Sequence, residues 1–208
     1  MQVGHHIIAA LVERPDRAGL VMDFDGVLAP IVDDPATSRL LPATAELLAD
    51  LAGHLGVVAL LSGRPVSFLA ERAGVDGVTL LGSYGVETRH GGRTQVLPEA
   101  ERWRATVTEV SAELHDHFDP VDGVHVEDKG LAVAVHWRQA GDQDAAQRLV
   151  EAVVAAAATA TGLHREPGKF VVELRSPVQQ DKGTAIRRVV EDSSSTSDVT
   201  EPRATDSC

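Results

Sequence analysis

The chain has a single cysteine, and it stands at the last of 208 positions, Cys208. No disulfide can close within the sequence, which fits a reducing compartment and a cytoplasmic protein. Aromatic residues make up only 3%, so a core has to be built from Val, Leu, Ile and Ala. Positive charge is scarce as well. The formal net charge is -12, which argues against nucleic acid or an anionic membrane surface as a partner. A small anion remains open to it, through a local cluster of cations. The opening MQVGHHIIAALVERPDR has neither a basic start nor a long apolar centre, so no secretory signal is expected there. No window reaches the ~18 consecutive apolar residues of a membrane helix. The longest apolar stretch, AVVAAAATA, reads as a packed helix.

What is present is 43% hydrophobic residues, enough for one sizeable core or two small domains. HHIIAALVER has helical spacing. GLVMDF, GVVALLSG and VTLLGS are continuous apolar runs suited to parallel strands buried on both faces. Between them TAELLADLAGHL and PVSFLAERAG read as helices. Strand and helix in alternation imply an α/β unit with a Rossmann-like parallel sheet, and such sheets bind ligands beyond the carboxyl ends of their strands. Asp23, Asp25, Ser62, Gly82 and Ser83 all fall at those ends. The pattern then changes. VETRHGGRTQVL reads as a hairpin around Gly-Gly, residues 99–117 as a helix, GVHVEDKGLAVAVHW as two strands, 142–161 as a helix and GKFVVEL as a strand. This predicts an α+β cap inserted over residues 86–175, a core from 1–85 and 176–192, and a disordered Ser/Thr-rich tail over 193–208.

The stretch GLVMDFDGVLAP sets two carboxylates, Asp23 and Asp25, at the end of an apolar strand. Such a pair can meet one divalent ion, and Mg²⁺ takes oxygen ligands while keeping several waters. One aspartate can then attack phosphorus while the other serves as acid and base. The alternative is a plain Asp-x-Asp-Gly turn. Ser62, in LLSGRP, could hold a phosphoryl oxygen or cap the next helix. Lysine occurs only at 129, 169 and 182, each time beside glycine, and every other basic position is arginine. A compact ammonium is retained where arginine would otherwise serve.

Together DFDGVLAPIV, LLSGRP and DKGTA resemble the first three motifs of haloacid-dehalogenase-like phosphatases. GSYGVE, VEDKGLAVAVHWRQA and GKFVVELRSP narrow the resemblance to the trehalose-6-phosphate phosphatase family, over roughly residues 18–192. The resemblance implies hydrolysis of trehalose 6-phosphate with Mg²⁺ as cofactor. Asp23 would be the nucleophile and a metal ligand. Asp25 would be the general acid and base, and would ligate the metal through its backbone carbonyl. Ser62 would bind the phosphoryl group and Lys182 would neutralise charge beside it. Arg64 could reach the phosphate or the sugar. Glu127, Lys129, Lys169 and Glu173 match the family's positions for sugar hydroxyls, and their spacing puts Glu127 with Lys129, and Lys169 with Glu173, on shared faces of extended segments. The alternative is a pair of cross-strand salt bridges on a solvated face. His136 and Arg138 are weaker candidates.

The family pattern continues into a fourth strand ending in Gly-Asp-Asp, and nothing after Glu191 here matches it. The change reads as a truncated or frame-shifted end. It implies a core sheet cut short on its C-terminal side, a metal site short of one carboxylate and impaired activity. It also leaves an open apolar sheet edge on which a homo-oligomer could form. Two other readings remain: a non-catalytic sugar-phosphate-binding or regulatory protein, and a capped phosphatase for another phosphosugar.

Overall fold

The computed structural model describes residues 8–9, 12–32 and 37–197. The chain divides into two compact units. One is built from the residues up to 95 and from 180 onward, the other from 96–179.

In the first unit the strands are β1 (Gly19–Met22), β2 (Val57–Leu61), β3 (Thr79–Gly82), β4 (Glu87–His90) and β5 (Arg93–Val96), hydrogen-bonded in that order. The first three are parallel and β4 runs antiparallel to β3. Helices α1 (Thr44–Ala52) and α2 (Val66–Ala73) make the crossovers, and α6 (Lys182–Ser197) returns at the end. Apolar runs become buried parallel strands because side chains alternate between two covered faces. Val58 and Leu60 join Phe24, Leu48, Leu69 and Leu80 on one face. Ala59 and Leu61 join Leu81, Ala185 and Val189 on the other. Strand β1 lies at the sheet edge, bonded to β2 alone among the described residues, and none of its residues is fully buried.

The hairpin β4–β5 corrects the expected boundary. The sequence reading placed it in the inserted unit, but it extends the core sheet, so the insertion starts at 96 and runs to 179. Local pattern fixes a hairpin, here turning at Gly91 (φ 53) and Gly92 (φ 78), without fixing which sheet edge it joins. The tail expected from 193 is helical at its start. Residues 193–197 prolong α6, while 198–208 lie outside the described residues. Half of the helix expected over 5–14 is outside them too.

The second unit holds α3 (Pro98–Glu101), α4 (Arg104–Phe118), β6 (His125–Asp128), β7 (Ala132–His136), α5 (Gln143–Thr161), β8 (His164–Gly168) and β9 (Val171–Arg175). Its antiparallel sheet has the order β6-β7-β9-β8. Alternation sends Val126, Val133, Val135, Val172 and Leu174 into a core shared with Val107, Leu114 and Phe118 of α4 and Val150 and Val154 of α5. Helix α5 starts where Asp142 accepts from Ala145 N–H (2.9 Å) and stops at Gly162 (φ 78), the usual polar start and left-handed stop. Strand β8, HREPG, escaped the sequence reading. All five residues are exposed, so no apolar alternation marks it, and Pro167 is tolerated because the strand is at an edge. No helix among the described residues is long and apolar enough to cross a membrane.

Phe118 is fully buried in the second unit's core. Replacing it by alanine is expected to cost about 3–5 kcal/mol, read as a lower urea midpoint with an unchanged slope.

Candidate active site

The site of the first unit begins at β1. Phe24 is fully buried and meets Phe68 edge-on at 6.1 Å. Its inward anchoring turns its neighbours Asp23 and Asp25 outward. The turn then closes, with Gly26 N–H donating to Ala29 O (2.8 Å) and Ala29 N–H to Phe24 O (2.9 Å). It needs Gly26 in the left-handed region, at φ 80.

Each aspartate has its own cation. Asp23 Oδ1 accepts from Phe24 N–H (2.8 Å), and Asp23 Oδ2 receives a hydrogen bond from the Lys182 ammonium. Asp25 is gripped by Arg64, whose Nε donates to Oδ2 (3.0 Å) and Nη2 to Oδ1 (3.2 Å). The Ser38 hydroxyl donates to Oδ1 as well (3.3 Å). Arg64 also lies over the Phe68 ring, 4.7 Å from its centre. The structure therefore brings Asp23, Asp25, Arg64 and Lys182 into two ion pairs, and it places Arg64 on Asp25. The tilt of that guanidinium could not be read from LLSGRP, because its partner is 39 positions away.

Ser62 follows β2 and is buried, at 2% exposure. Its Oγ accepts from Arg64 N–H (3.1 Å), and its own proton is left to donate. It does not cap α2. Glu87 does that work: Oε2 accepts from Val66 N–H (3.1 Å) and from the Ser83 hydroxyl (2.8 Å). The turn after β3 is strained. Ser83, Tyr84 and Gly85 stand in succession at φ 50, 58 and 88, and the left-handed region costs a non-glycine residue about 1–2 kcal/mol. Neighbouring bonds hold it there, with Ser83 N–H donating to Arg64 O (2.8 Å), Tyr84 N–H to Ser62 O (2.9 Å) and Arg188 to Gly85 O. Ser38 carried no signal in the sequence. Glu87 and Tyr84 stood within GSYGVE but drew no role.

A hard cation would find two oxygen donors here, the Asp23 carboxylate and the Asp25 carbonyl, which accepts no hydrogen bond among the described residues. No group of three or more His, Cys, Asp or Glu gathers among them. That donor set suits an ion completing its shell with water and substrate oxygens, as Mg²⁺ does, rather than zinc in a closed site.

In the second unit, Glu127 and Glu173 sit in one cross-strand row on either side of Ala134. Lys129 bridges them, 2.6 Å from Glu173 Oε2 and 3.8 Å from Glu127 Oε2. His136 Nε2 adds a contact to Glu127 Oε2 at 2.9 Å. Between β9 and the edge strand β8, Arg175 meets Glu166 at 3.0 Å, and its guanidinium holds that carboxyl below its ordinary range. Lys169 departs from the expected alternation. It occupies the exposed turn between β8 and β9, where Phe170 is at φ 60, and the structure does not bring it to the other three.

The sequence matches the family model described as Trehalose-phosphatase over residues 21–205. It is 37% identical over 178 residues to the trehalose-phosphate phosphatase of Mycobacterium leprae, covering 84% of this chain and 40% of that protein. The protein of the same description from Mycobacterium marinum is 35% identical over 184 residues, covering 86% and 46%. The chain thus spans less than half the length of these curated relatives. A crystal structure described as a trehalose-6-phosphate phosphatase related protein superposes with a TM-score of 0.74 at 23% identity, covering 83% of this chain and 73% of that one. That likeness is one of fold.

Lys182 reaches Asp23 from the first residue of α6, and the start of that helix depends on Asp181. Asp181 Oδ1 accepts from Thr184 N–H (2.7 Å) and the Thr184 hydroxyl (2.9 Å). The backbone bond, then the hydroxyl, holds the Asp181 carboxyl below its ordinary value. A depressed folded pKa contributes stability that is full above the unfolded value and lost as pH falls through the folded one. Asp181→Ala is expected to lower Tm at neutral pH. The gap from the parent should close in acid, as melts across a pH series will show.

Proposed function

The chain belongs to the trehalose-phosphatase family, and on that premise we propose that it hydrolyses trehalose 6-phosphate to trehalose and phosphate. The observation that carries the reading is the pairing of Lys182 with Asp23. It sets a fixed positive charge beside a carboxylate that can attack phosphorus. Phosphoryl transfer depends on position and charge neutralisation more than on covalent novelty.

In the proposed reaction an Asp23 carboxylate oxygen attacks phosphorus and the bond from phosphorus to the sugar oxygen breaks. Asp25 gives its proton to that departing oxygen, and an aspartyl-phosphate stands on Asp23. Asp25, now a carboxylate, takes a proton from water, whose oxygen attacks phosphorus. Phosphate leaves, and Asp23 and Asp25 return to their starting states. Both Asp25 oxygens accept hydrogen bonds from Arg64 in the structure, the arrangement of the water-activating form. To donate a proton, Asp25 must release one of those bonds, and an Arg64 so loosened would turn to phosphoryl or sugar oxygens. Ser62, through its free proton, and Lys182 hold the phosphoryl oxygens. The Asp23 carboxylate and Asp25 carbonyl would hold Mg²⁺, which supplies further positive charge to those oxygens when bound. We assign sugar recognition to Glu127, Lys129 and Glu173 in the second unit, with Lys169 joining them only if its turn rearranges.

The second reading is a sugar-phosphate-binding protein without turnover.

Phosphate release from trehalose 6-phosphate should require Mg²⁺ and vanish in Asp23→Asn. Lys182→Ala should lower kcat by about 10²–10³-fold, the scale for losing one charge-stabilising donor. Saturable binding without release would establish the second reading, and turnover of a different phosphosugar alone would move the substrate. Absence of both binding and release would overturn the assignment.

A further inference from the structure

We propose that Tyr84 is a substrate-contact residue of this site, its phenol hydroxyl donating a hydrogen bond to the hydroxyl-rich sugar of the ester. The inference rests on the phosphatase reading and adds a specificity residue to it.

Three observations converge on this side chain. First, Tyr84 lies in the middle of three successive left-handed residues, two of them not glycine. Strain of this kind persists only where the surroundings impose it, and it gathers at sites that use it. The surroundings here are the phosphoryl loop itself, since Tyr84 N–H is bonded to Ser62 O and Ser83 N–H to Arg64 O. Secondly, the strained backbone delivers the phenol to that loop. A Cβ placed on Gly63 would stand 2.8 Å from Tyr84 Cζ and 2.9 Å from its Oη. The hydroxyl end of the ring thus lies against the residue that follows Ser62. Thirdly, that hydroxyl has no protein partner among the described residues, while the side chain stays 36% exposed. A ring serving only as packing over Gly63 has no need of the hydroxyl. A phenol with an apolar body seated and a polar tip in the open is suited to a polar ligand.

The chemistry of the ester identifies what the tip would read. The phosphoryl oxygens already have Ser62 and Lys182 beside their proposed position, both of which are donors. The sugar offers oxygen acceptors in a fixed array. A site that hydrogen-bonds substrate hydroxyls discriminates against esters that lack them. An aryl phosphate carries the same phosphoryl group on a leaving group without hydroxyls, so it separates the two contributions.

The test compares Tyr84→Phe with the parent chain on trehalose 6-phosphate and on p-nitrophenyl phosphate, in Mg²⁺, with inorganic phosphate as an inhibitor and thermal melts alongside. The ratio of kcat/KM for the sugar ester to that for the aryl ester should fall about five- to tenfold, the scale of one neutral hydrogen bond. The change should sit in KM for the sugar ester, with the same inhibition constant for phosphate in both proteins and matching melts. An unchanged ratio overturns the proposal. A phosphate inhibition constant that rises in step with KM also overturns it, because the phenol would then serve the phosphoryl group. If the parent hydrolyses neither ester, the phosphatase reading falls separately, and calorimetric binding of trehalose 6-phosphate decides the role of Tyr84. Weaker binding by Tyr84→Phe supports the contact. Equal binding, or none by the parent, removes it.

Discussion

The ion pair between Lys182 and Asp23 joins residues 159 positions apart, and its geometry is set by apolar packing. Asp23 leaves the carboxyl end of β1. Lys182 opens a helix whose Ala185 and Val189 pack against Ala59, Leu61 and Leu81. Gly85 lets that helix approach, since a side chain at its φ of 88 would run into Ala185. A small residue at 185 and none at 85 therefore decide how near the ammonium comes to the carboxylate. The start of α6 adds its own partial positive charge beside Lys182. The charged site thus inherits its precision from a face of the sheet that carries no charge.

Much of this arrangement is written in local pattern. The apolar runs of β2 and β3 are long enough to be buried on both faces, and Asp23, Asp25 and Ser62 follow from where the runs of β1 and β2 end. Other features depend on which segments meet. A Gly-Gly turn between extended runs marks β4 and β5 as a hairpin, but the free edge of β3 decides which sheet they join. Strand β8 has no apolar face because it is an exposed edge, so its sequence HREPG resembles a loop. Lys169 looked aligned with Glu173 by an even spacing of four, and Phe170 at φ 60 breaks that alternation. Arg64, Ser38 and Glu87 acquire their meaning only from partners far along the chain.

The local charge balance bears on the chemistry. In a chain of net charge -12, the site gathers two carboxylates and two cations, paired as Asp23 with Lys182 and Asp25 with Arg64. Their formal sum is zero. A phosphate monoester arriving as a dianion finds no surplus positive charge among these four groups. Phosphoryl transfer needs that charge neutralised. In the proposed reaction a divalent cation would supply it, with the Asp23 carboxylate and the Asp25 carbonyl, which accepts no hydrogen bond among the described residues, as oxygen ligands.

The same accounting narrows where the phosphoryl group can rest. The N-terminus of a helix is a ready anion site, and α2 begins four residues after Ser62. Its first amide is already taken, because Val66 N–H donates to Glu87. That carboxylate also places negative charge at the helix end where an anion would otherwise settle. In the proposed reaction that leaves the Ser62 hydroxyl and Lys182 to hold the phosphoryl group. Glu87 excludes the wrong resting place and, through the Ser83 hydroxyl, holds the strained turn that carries Tyr84. One half-buried carboxylate so ties the blocked helix end to the turn that carries the phenol.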